Sequence, residues 1–362
     1  MRTNNNNMLN VQRYLSEYSV SQLKSEYFIK VAEYSDLMSL NYSQIESPKN
    51  NPITNECRGL ILEKNPPYKI ICRSFDRFYN YGENDSFPDN FQDYKCFEKR
   101  DGSLINVYNY NSNWVAATRK MIYAEGINLQ GYNFSDLFFS CFNKSSLNFV
   151  DPNFTLIFEL TSPNNRIVTN YKKTDYRLLT VRNRFTGKEL NYDQLVKFSK
   201  EYNFPLANEY YFKNYDDVVN SYNTLNELEE GYVFINYDTM HRFKMKNPSY
   251  LAAAHIRCNG SISPKNIINL IFLNDYEEYL LMFPEDIIHF EKYIEAYNKM
   301  IIDVMELYNK YKFIENRKEF ALTIKNEKCK NLLFGLRNNK VLTDLFSNLT
   351  NNSKVSLINN YL

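Results

Sequence analysis

Residues 97–120 read FEKRDGSLINVYNY, then NSN, then WVAATRK. Two runs rich in β-branched and aromatic residues flank a short Asn-Ser-Asn break, which predicts two antiparallel strands joined by a tight turn. Working outward, FTLIFEL (154–160), RLLTVRN (177–183), YVFIN (232–236) and HRFKMKN (241–247) carry the same strand signature. NYDQLVKFSKEY (191–202) has helical spacing and sits among them. After Pro248 the texture changes: residues 266–283, 285–311 and about 340–350 space their apolar residues as helices do. Pro284 followed by Glu285 and Asp286 suits a helix start, because acids favour the N-terminal turn. The expected organisation is α+β: a disordered arm over 1–12, a body of antiparallel sheets with flanking helices over 13–250, and an all-α C-terminal domain over 251–362.

The 362 residues are 44% hydrophobic and 23% charged, enough for a sizeable core in each of two domains. Forty-three Lys and Arg against forty-two Asp and Glu give a net charge of +1, which excludes a histone-like polycation but leaves room for local basic surfaces. Acidic side chains dominate 275–306 and basic ones 310–340. Two solvated helix faces would explain that split, and so would a polyanion-facing surface on the second half. His241, His255 and His289 are scattered, giving little support to a zinc site or a Ser-His-Asp triad. The six cysteines form no CxxC pair, which points to reduced thiols. The polar start MRTNNNNMLN does not resemble a signal peptide, and no apolar run nears the ~18 residues of a membrane span. A soluble, cytoplasmic protein is expected, and the Asn, Tyr, Ile and Lys bias fits an AT-rich genome such as a viral one.

Lys99 opens the KRDGSL run. A lysine amine attacks phosphorus only when deprotonated, so a nucleophilic Lys99 calls for a pKa lowered by burial or nearby cations. Gly102 would let the backbone approach a phosphate, and Asp101–Gly102 suits a tight turn. Around this run lie ECRGLILE with Arg58, FDRFYNYGE with Arg77, FELTSPNNRIV with Glu159, LEEGYVF with Glu230, and FKMKN with Lys244 and Lys246. Nucleotidyl transfer needs these residue types: cations for a triphosphate and its leaving pyrophosphate, a carboxylate for ribose hydroxyls, another near a divalent metal. Lys244 and Lys246, two apart on a strand, point to one side and could grip one phosphate. Phe75, Phe78 and Tyr79 read as core packing before base-stacking platforms, and Asp101 as a turn former before a catalytic group.

In this order the six motifs, over about 56–250, resemble the covalent nucleotidyltransferase superfamily of ligases and capping enzymes, and most closely the RNA ligase 1 family of T-even bacteriophages. The resemblance implies an ATP-dependent RNA ligase. Lys99 would become Lys–AMP, Glu159 would bind the ribose, and Glu230 would act near the nucleotide and metal. Lys244 and Lys246 would hold the α-phosphate and orient pyrophosphate. Arg58 would contact the triphosphate, with Gly102 and Arg77 also lining the ATP site. Arg77 replaces the family's usual lysine, a forked donor for a point charge. A second functional lysine after the hairpin corresponds to Arg119 or Lys120, with Arg119 preferred. An early aromatic that contacts the nucleotide could be Tyr27, Phe28 or Tyr34.

The resemblance also implies Mg²⁺, with Mn²⁺ as a substitute, and RNA carrying 5′-phosphate and 3′-hydroxyl ends, nicked tRNA among them. An end-healing kinase or phosphatase is a candidate partner, and Lys325, Lys328 and Lys330 are candidate RNA contacts. Two alternatives stand beside it. One is another enzyme of the superfamily, a DNA ligase or capping enzyme, which usually carries an OB-fold where helices follow here. The other is a non-catalytic protein that binds RNA ends.

Overall fold

The computed structural model describes residues 8–362 apart from 45, 129–130, 226–227, 258–260, 274 and 339. The chain divides into two compact units, Met1–Ala254 and His255–Leu362.

In the first unit the strands are β1 (Ile29–Tyr34), β2 (Leu37–Tyr42), β3 (Arg58–Glu63), β4 (Ile70–Cys72), β5 (Tyr79–Asn80), β6 (Lys95–Glu98), β7 (Ser103–Tyr110), β8 (Asn113–Thr118), β9 (Phe154–Thr161), β10 (Asp175–Asn183), β11 (Glu209–Tyr210), β12 (Gly231–Ile235) and β13 (Arg242–Lys246). They form three sheets, ordered β1-β2-β3-β4, β10-β9-β7-β8 and β11-β6-β12-β13-β5. Pairing is antiparallel except between β13 and β5.

The two-residue side-chain period explains the layering. On β3, Leu60 and Leu62 face a core with Leu9, Val11, Leu15 and Leu23 from the helices Asn10–Glu17 and Val20–Tyr27. Ile61, between them, turns the other way and packs with Tyr108 of β7 and Ala117 of β8. The first sheet is thus covered by helices on one face and by the second sheet on the other. The second sheet's remaining face buries Ile105, Val107, Leu156, Phe158 and Leu178 against the helices Phe134–Cys141 and Tyr192–Tyr202. The third sheet has an aromatic core of Tyr232, Phe234 and Phe243 with Val218 from the helix Tyr215–Ser221.

Of the two strands read over 97–120, the hairpin forms as β7–β8, but 97–110 is not one strand: β6 ends at Glu98 and β7 begins at Ser103 in another sheet. Tyr110 lies opposite Asn113, and both turn residues, Asn111 and Ser112, are at positive φ (49° and 63°). That is the twist a two-residue hairpin turn needs. The helix read at 191–202 spans Tyr192–Tyr202, capped reciprocally by Asn191 and Gln194.

The arm expected over 1–12 ends earlier than the Asn run suggested. Its residues 1–7 lie outside the described residues. Leu9, Val11 and Gln12 are buried, and Glu56 accepts hydrogen bonds from the Asn10 and Val11 N–H groups at 3.0 and 2.9 Å. A helix N-terminus whose free N–H groups meet a carboxylate is anchored.

In the second unit every element assigned among the described residues beyond 256 is helical: Pro264–Leu273, Tyr276–Met282, Ile287–Tyr311, Arg317–Thr323, Lys330–Arg337, Leu342–Ser347 and Asn351–Asn359, with a single 3₁₀ turn at Pro284–Asp286. That turn leads directly into Ile287–Tyr311, whose buried Phe290, Met300 and Val304 mark its core-facing stripe. Among the described residues no helix is long and apolar enough to cross a membrane. Cys57, Cys72, Cys96, Cys141 and Cys329 are free thiols.

Candidate active site

Lys99 does not sit on the hairpin itself. Residues Lys99–Gly102 form the crossing from β6, in the third sheet, to β7, in the second. The β6–β12 ladder sets Tyr232 opposite Glu98, and one step on the Lys99 N–H donates to the Gly231 carbonyl at 2.8 Å. The β12–β13 ladder sets Gly231 opposite Lys246. Backbone pairing therefore delivers Lys99, Glu230 and Lys246 to one place. Gly231 has φ 122°, and a Cβ there would strike the Met245 carbonyl, so a side chain is excluded at the point where the strands converge.

The side chains complete the cluster. Lys99 Nζ lies 2.6 Å from Glu230 Oε2, and Lys246 Nζ lies 2.8 Å from Glu230 Oε1. One carboxylate, 6% exposed, thus bridges two ammonium groups. Burial alone would raise the Glu230 carboxyl, but Lys99 and then Lys246 overcome it and hold the pKa below its ordinary value. Glu159, mid-strand on β9 opposite Leu104, has its carboxyl pushed up to about 7 by burial; Lys99 opposes this, while Glu230 and Asp101 add to it. Lys244 moves the other way, down to about 7, through burial and then repulsion from Lys99, Lys246 and Arg58. Arg58 begins β3, and its buried Nη1 has no hydrogen-bond partner among the described residues. Burial and Arg119 lower its pKa, with Tyr42 and Glu159 acting against them. An unsatisfied guanidinium nitrogen beside two lysines suits a polyphosphate.

The sequence called for a Lys99 pKa lowered by burial and cations. Burial does press it down, but Glu230, Glu159 and Asp101 together outweigh burial, and the pKa lies above its ordinary value. Without nucleotide the amine is held as an ammonium by the carboxylates around it.

Gly102 also has a packing role that the sequence did not suggest. A Cβ at Gly102 would collide with the Leu160 carbonyl and touch Thr161 Cγ2, so the glycine permits close packing of the crossing on β9. Asp101 does more than shape a turn. Its Oδ2 accepts from the Val168 and Thr169 N–H groups at 2.7 and 2.8 Å, and its Oδ1 accepts from the Tyr250 hydroxyl at 2.7 Å. This 3%-exposed carboxylate staples the Lys99 crossing to two distant segments. Neither partner was visible in the local sequence, although RIVTNY and NPSY lie inside recognised motifs.

Arg77 packs on Tyr42, a ring that Arg58 and Arg119 also engage. Its guanidinium lies 4.2 Å from the Tyr42 ring centroid and 5.2 Å from that of Tyr79, and its Nη1 points to the Ser47 and Pro48 carbonyls at 3.5 and 3.4 Å. Arg119 also lies over Tyr42, at 4.5 Å, and is close enough to Arg58 to repel it. Phe75 and Tyr79 are buried, and Arg58 lies 5.6 and 5.3 Å from the Phe75 and Phe78 centroids, so these rings serve as packing for a cation. In the second unit Lys325, Lys328 and Lys330 are exposed, with Lys328 donating to the Asn360 carbonyl at 2.7 Å.

Among the described residues no group of three or more His, Cys, Asp or Glu side chains gathers to hold a metal ion. Glu230 and Glu159 can offer carboxylate oxygens, and a magnesium-type ion characteristically takes one or two carboxylates and completes its shell with substrate phosphates and water.

A lysine clamped by a carboxylate, with further cations and a buried carboxyl close by, defines a pocket able to take a nucleotide's phosphates, and it stands on a ligase nucleotidyltransferase fold. An archaeal ATP-dependent RNA ligase superimposes with a TM-score of 0.50 at 15% identity, over 73% of this chain and 68% of that one. The family model described as RNA ligase matches residues 56–250, and the chain belongs to that family, of the T4 RNA ligase 1 type. A protein of Autographa californica nuclear polyhedrosis virus named as a bifunctional polynucleotide kinase/RNA ligase is 32% identical over 313 residues, covering 80% of this chain and 44% of that protein. An RNA ligase of Rhodothermus phage RM378 is 23% identical over 288 residues, covering 62% of this chain and 65% of its own. The chain thus spans less than two thirds of the length of either relative.

Proposed function

We propose that this chain is an ATP-dependent RNA ligase that seals 5′-phosphate to 3′-hydroxyl ends. The observation that carries it is the Lys99–Glu230–Lys246 cluster, flanked by Glu159, Lys244 and Arg58, inside the segment that matches the RNA ligase family. In the first step deprotonated Lys99 Nζ bonds to the α-phosphorus of ATP, the bridging α–β oxygen bond breaks, and pyrophosphate leaves with that electron pair. Lys99 must first shed its proton to solvent, because Glu230, whose own pKa is held low, stabilises the ammonium. Lys244 and Lys246 stand where phosphate oxygens need countercharge, and Arg58 presents a free guanidinium edge to the triphosphate. In the second step a 5′-phosphate oxygen of RNA attacks the phosphorus of Lys99–AMP and the amine leaves. In the third a 3′-hydroxyl attacks the RNA 5′-phosphate, AMP departs and a phosphodiester remains. A divalent cation, Mg²⁺ by preference and held through Glu230 with Glu159 nearby, would offset phosphate charge.

Residues 13–250 would form the adenylyltransferase domain and 251–362 the RNA-specificity domain. Nicked tRNA is the proposed substrate class, and the name of the baculoviral relative supports an end-healing kinase as a partner. The test is a chase. Protein labelled with α-labelled ATP, freed of nucleotide, should pass its label to a 5′-phosphorylated RNA and release it as AMP on sealing. Label that stays on the protein in the presence of RNA would refute the assignment. Charge reversal at Lys325, Lys328 and Lys330 should lower sealing about tenfold or more relative to Lys99 labelling at low salt, with the gap narrowing as salt rises. An equal fall in both activities would argue against an RNA-contact role.

A further inference from the structure

A groove of about 560 Å³ in the first unit is lined by Lys244 and Lys246 together with Tyr81, Tyr215, Tyr222 and Val219. The same two lysines surround Glu230 and Lys99, so the groove and the adenylylation site share a wall. The groove's other elements are β5 and the helix Tyr215–Ser221. The carboxyl and guanidinium assigned to ATP, Glu159 and Arg58, come instead from β9 and β3, so of the residues assigned to ATP only Lys244 and Lys246 line this groove, and its aromatic part is left unassigned.

Its aromatic lining is built for a flat ligand. Tyr81 is braced edge-on by Phe87 at 5.2 Å and by Phe243 at 5.8 Å. Tyr215 stacks on Tyr81 with centroids 4.9 Å apart and planes 29° apart, yet remains 43% exposed. Val219, one helical turn further on, is 38% exposed. Two ammonium groups at one end and a stacked aromatic pair beside them, half-buried Tyr81 and exposed Tyr215, match a nucleotide's phosphate and base, because base–aromatic stacking needs only a π-face.

We infer that this groove takes the first nucleotide of a single-stranded 5′-phosphate RNA end, its phosphate on Lys244 and Lys246 and its base against the Tyr81–Tyr215 pair. The inference rests on the RNA-ligase reading and adds the substrate's seat to it. Tyr215 is the position to change, because it is exposed while Tyr81 is part of the aromatic core. The probe is a fluorescent single-stranded hexaribonucleotide with a 5′-phosphate, titrated by anisotropy into wild type, Tyr215→Ala and Tyr215→Trp, with Lys99 labelling by ATP measured in parallel. Tyr215→Ala should weaken Kd about tenfold, the size of one base–aromatic stack, and Tyr215→Trp should restore it. A Kd within about twofold of wild type in Tyr215→Ala, no binding by wild type, or a matching loss of Lys99 labelling would overturn the groove assignment. Labelled wild type with Tyr215-independent binding would remove the groove and leave the ligase reading. Tyr215-dependent binding by wild type that never acquires AMP would do the reverse.

Discussion

Lys99→Ala is expected to retain none of the α-labelled ATP that the wild-type chain keeps through denaturation, a fall of three or more orders of magnitude in covalent labelling and in sealing. Lys244 and Lys246 do not replace it in position: both stand on β13, a different element from the crossing that presents Lys99. The sharper version of the experiment varies pH. Glu230, Glu159 and Asp101 hold Lys99 above its ordinary pKa, so adenylylation should rise about tenfold per pH unit on the acid side of that value. Glu230→Gln keeps the shape and removes the charge. Burial and the neighbouring lysines then act with less opposition, and the rise should move to lower pH while the maximal rate falls. An unshifted profile in Glu230→Gln would show that this carboxylate does not govern the Lys99 proton.

Asp101→Ala is the largest expected stability effect. It orphans the Val168 and Thr169 N–H groups and the Tyr250 hydroxyl together, at a buried position. Losing charge-assisted hydrogen bonds while leaving buried donors unpaired costs about 3–5 kcal/mol. Denaturant unfolding should show that drop in midpoint at an unchanged m value, with labelling of Lys99 lost in the fraction that stays folded. Asp101→Asn, which keeps an acceptor, should recover part of the stability. A midpoint near wild type for Asp101→Ala would mean that the staple carries little.

The sequence revealed features that depend on neighbours along the chain. The turn after Tyr110, the helix over 191–202 and the run of motifs from Arg58 to Lys246 are local patterns, and the structure keeps the turn and the helix. Ser19 with Gln22 is a further capping box that the sequence displays and that a reading of strands passed over; it starts the helix Val20–Tyr27. Features that depend on distant pairing were not legible. Asp101 meets Val168, Thr169 and Tyr250 across separations of 67, 68 and 149 residues. The Lys99 pKa follows from burial set against Glu230, Glu159 and Asp101, of which KRDGSL displays only Asp101. Arg77 has the charge its motif suggests, and its partners, the Tyr42 and Tyr79 rings and the Ser47 and Pro48 carbonyls, were not legible in that motif.

The placement of Lys99 between two sheets has a consequence for how the protein fails. Lys99 has one foot on the β6–β12 ladder and the other on the β7–β9 ladder. Fraying of either one displaces it, even while the other keeps its hydrogen bonds. Two supports in series tolerate less than each alone, so during gentle heating catalytic competence should vanish ahead of the bulk loss of secondary structure.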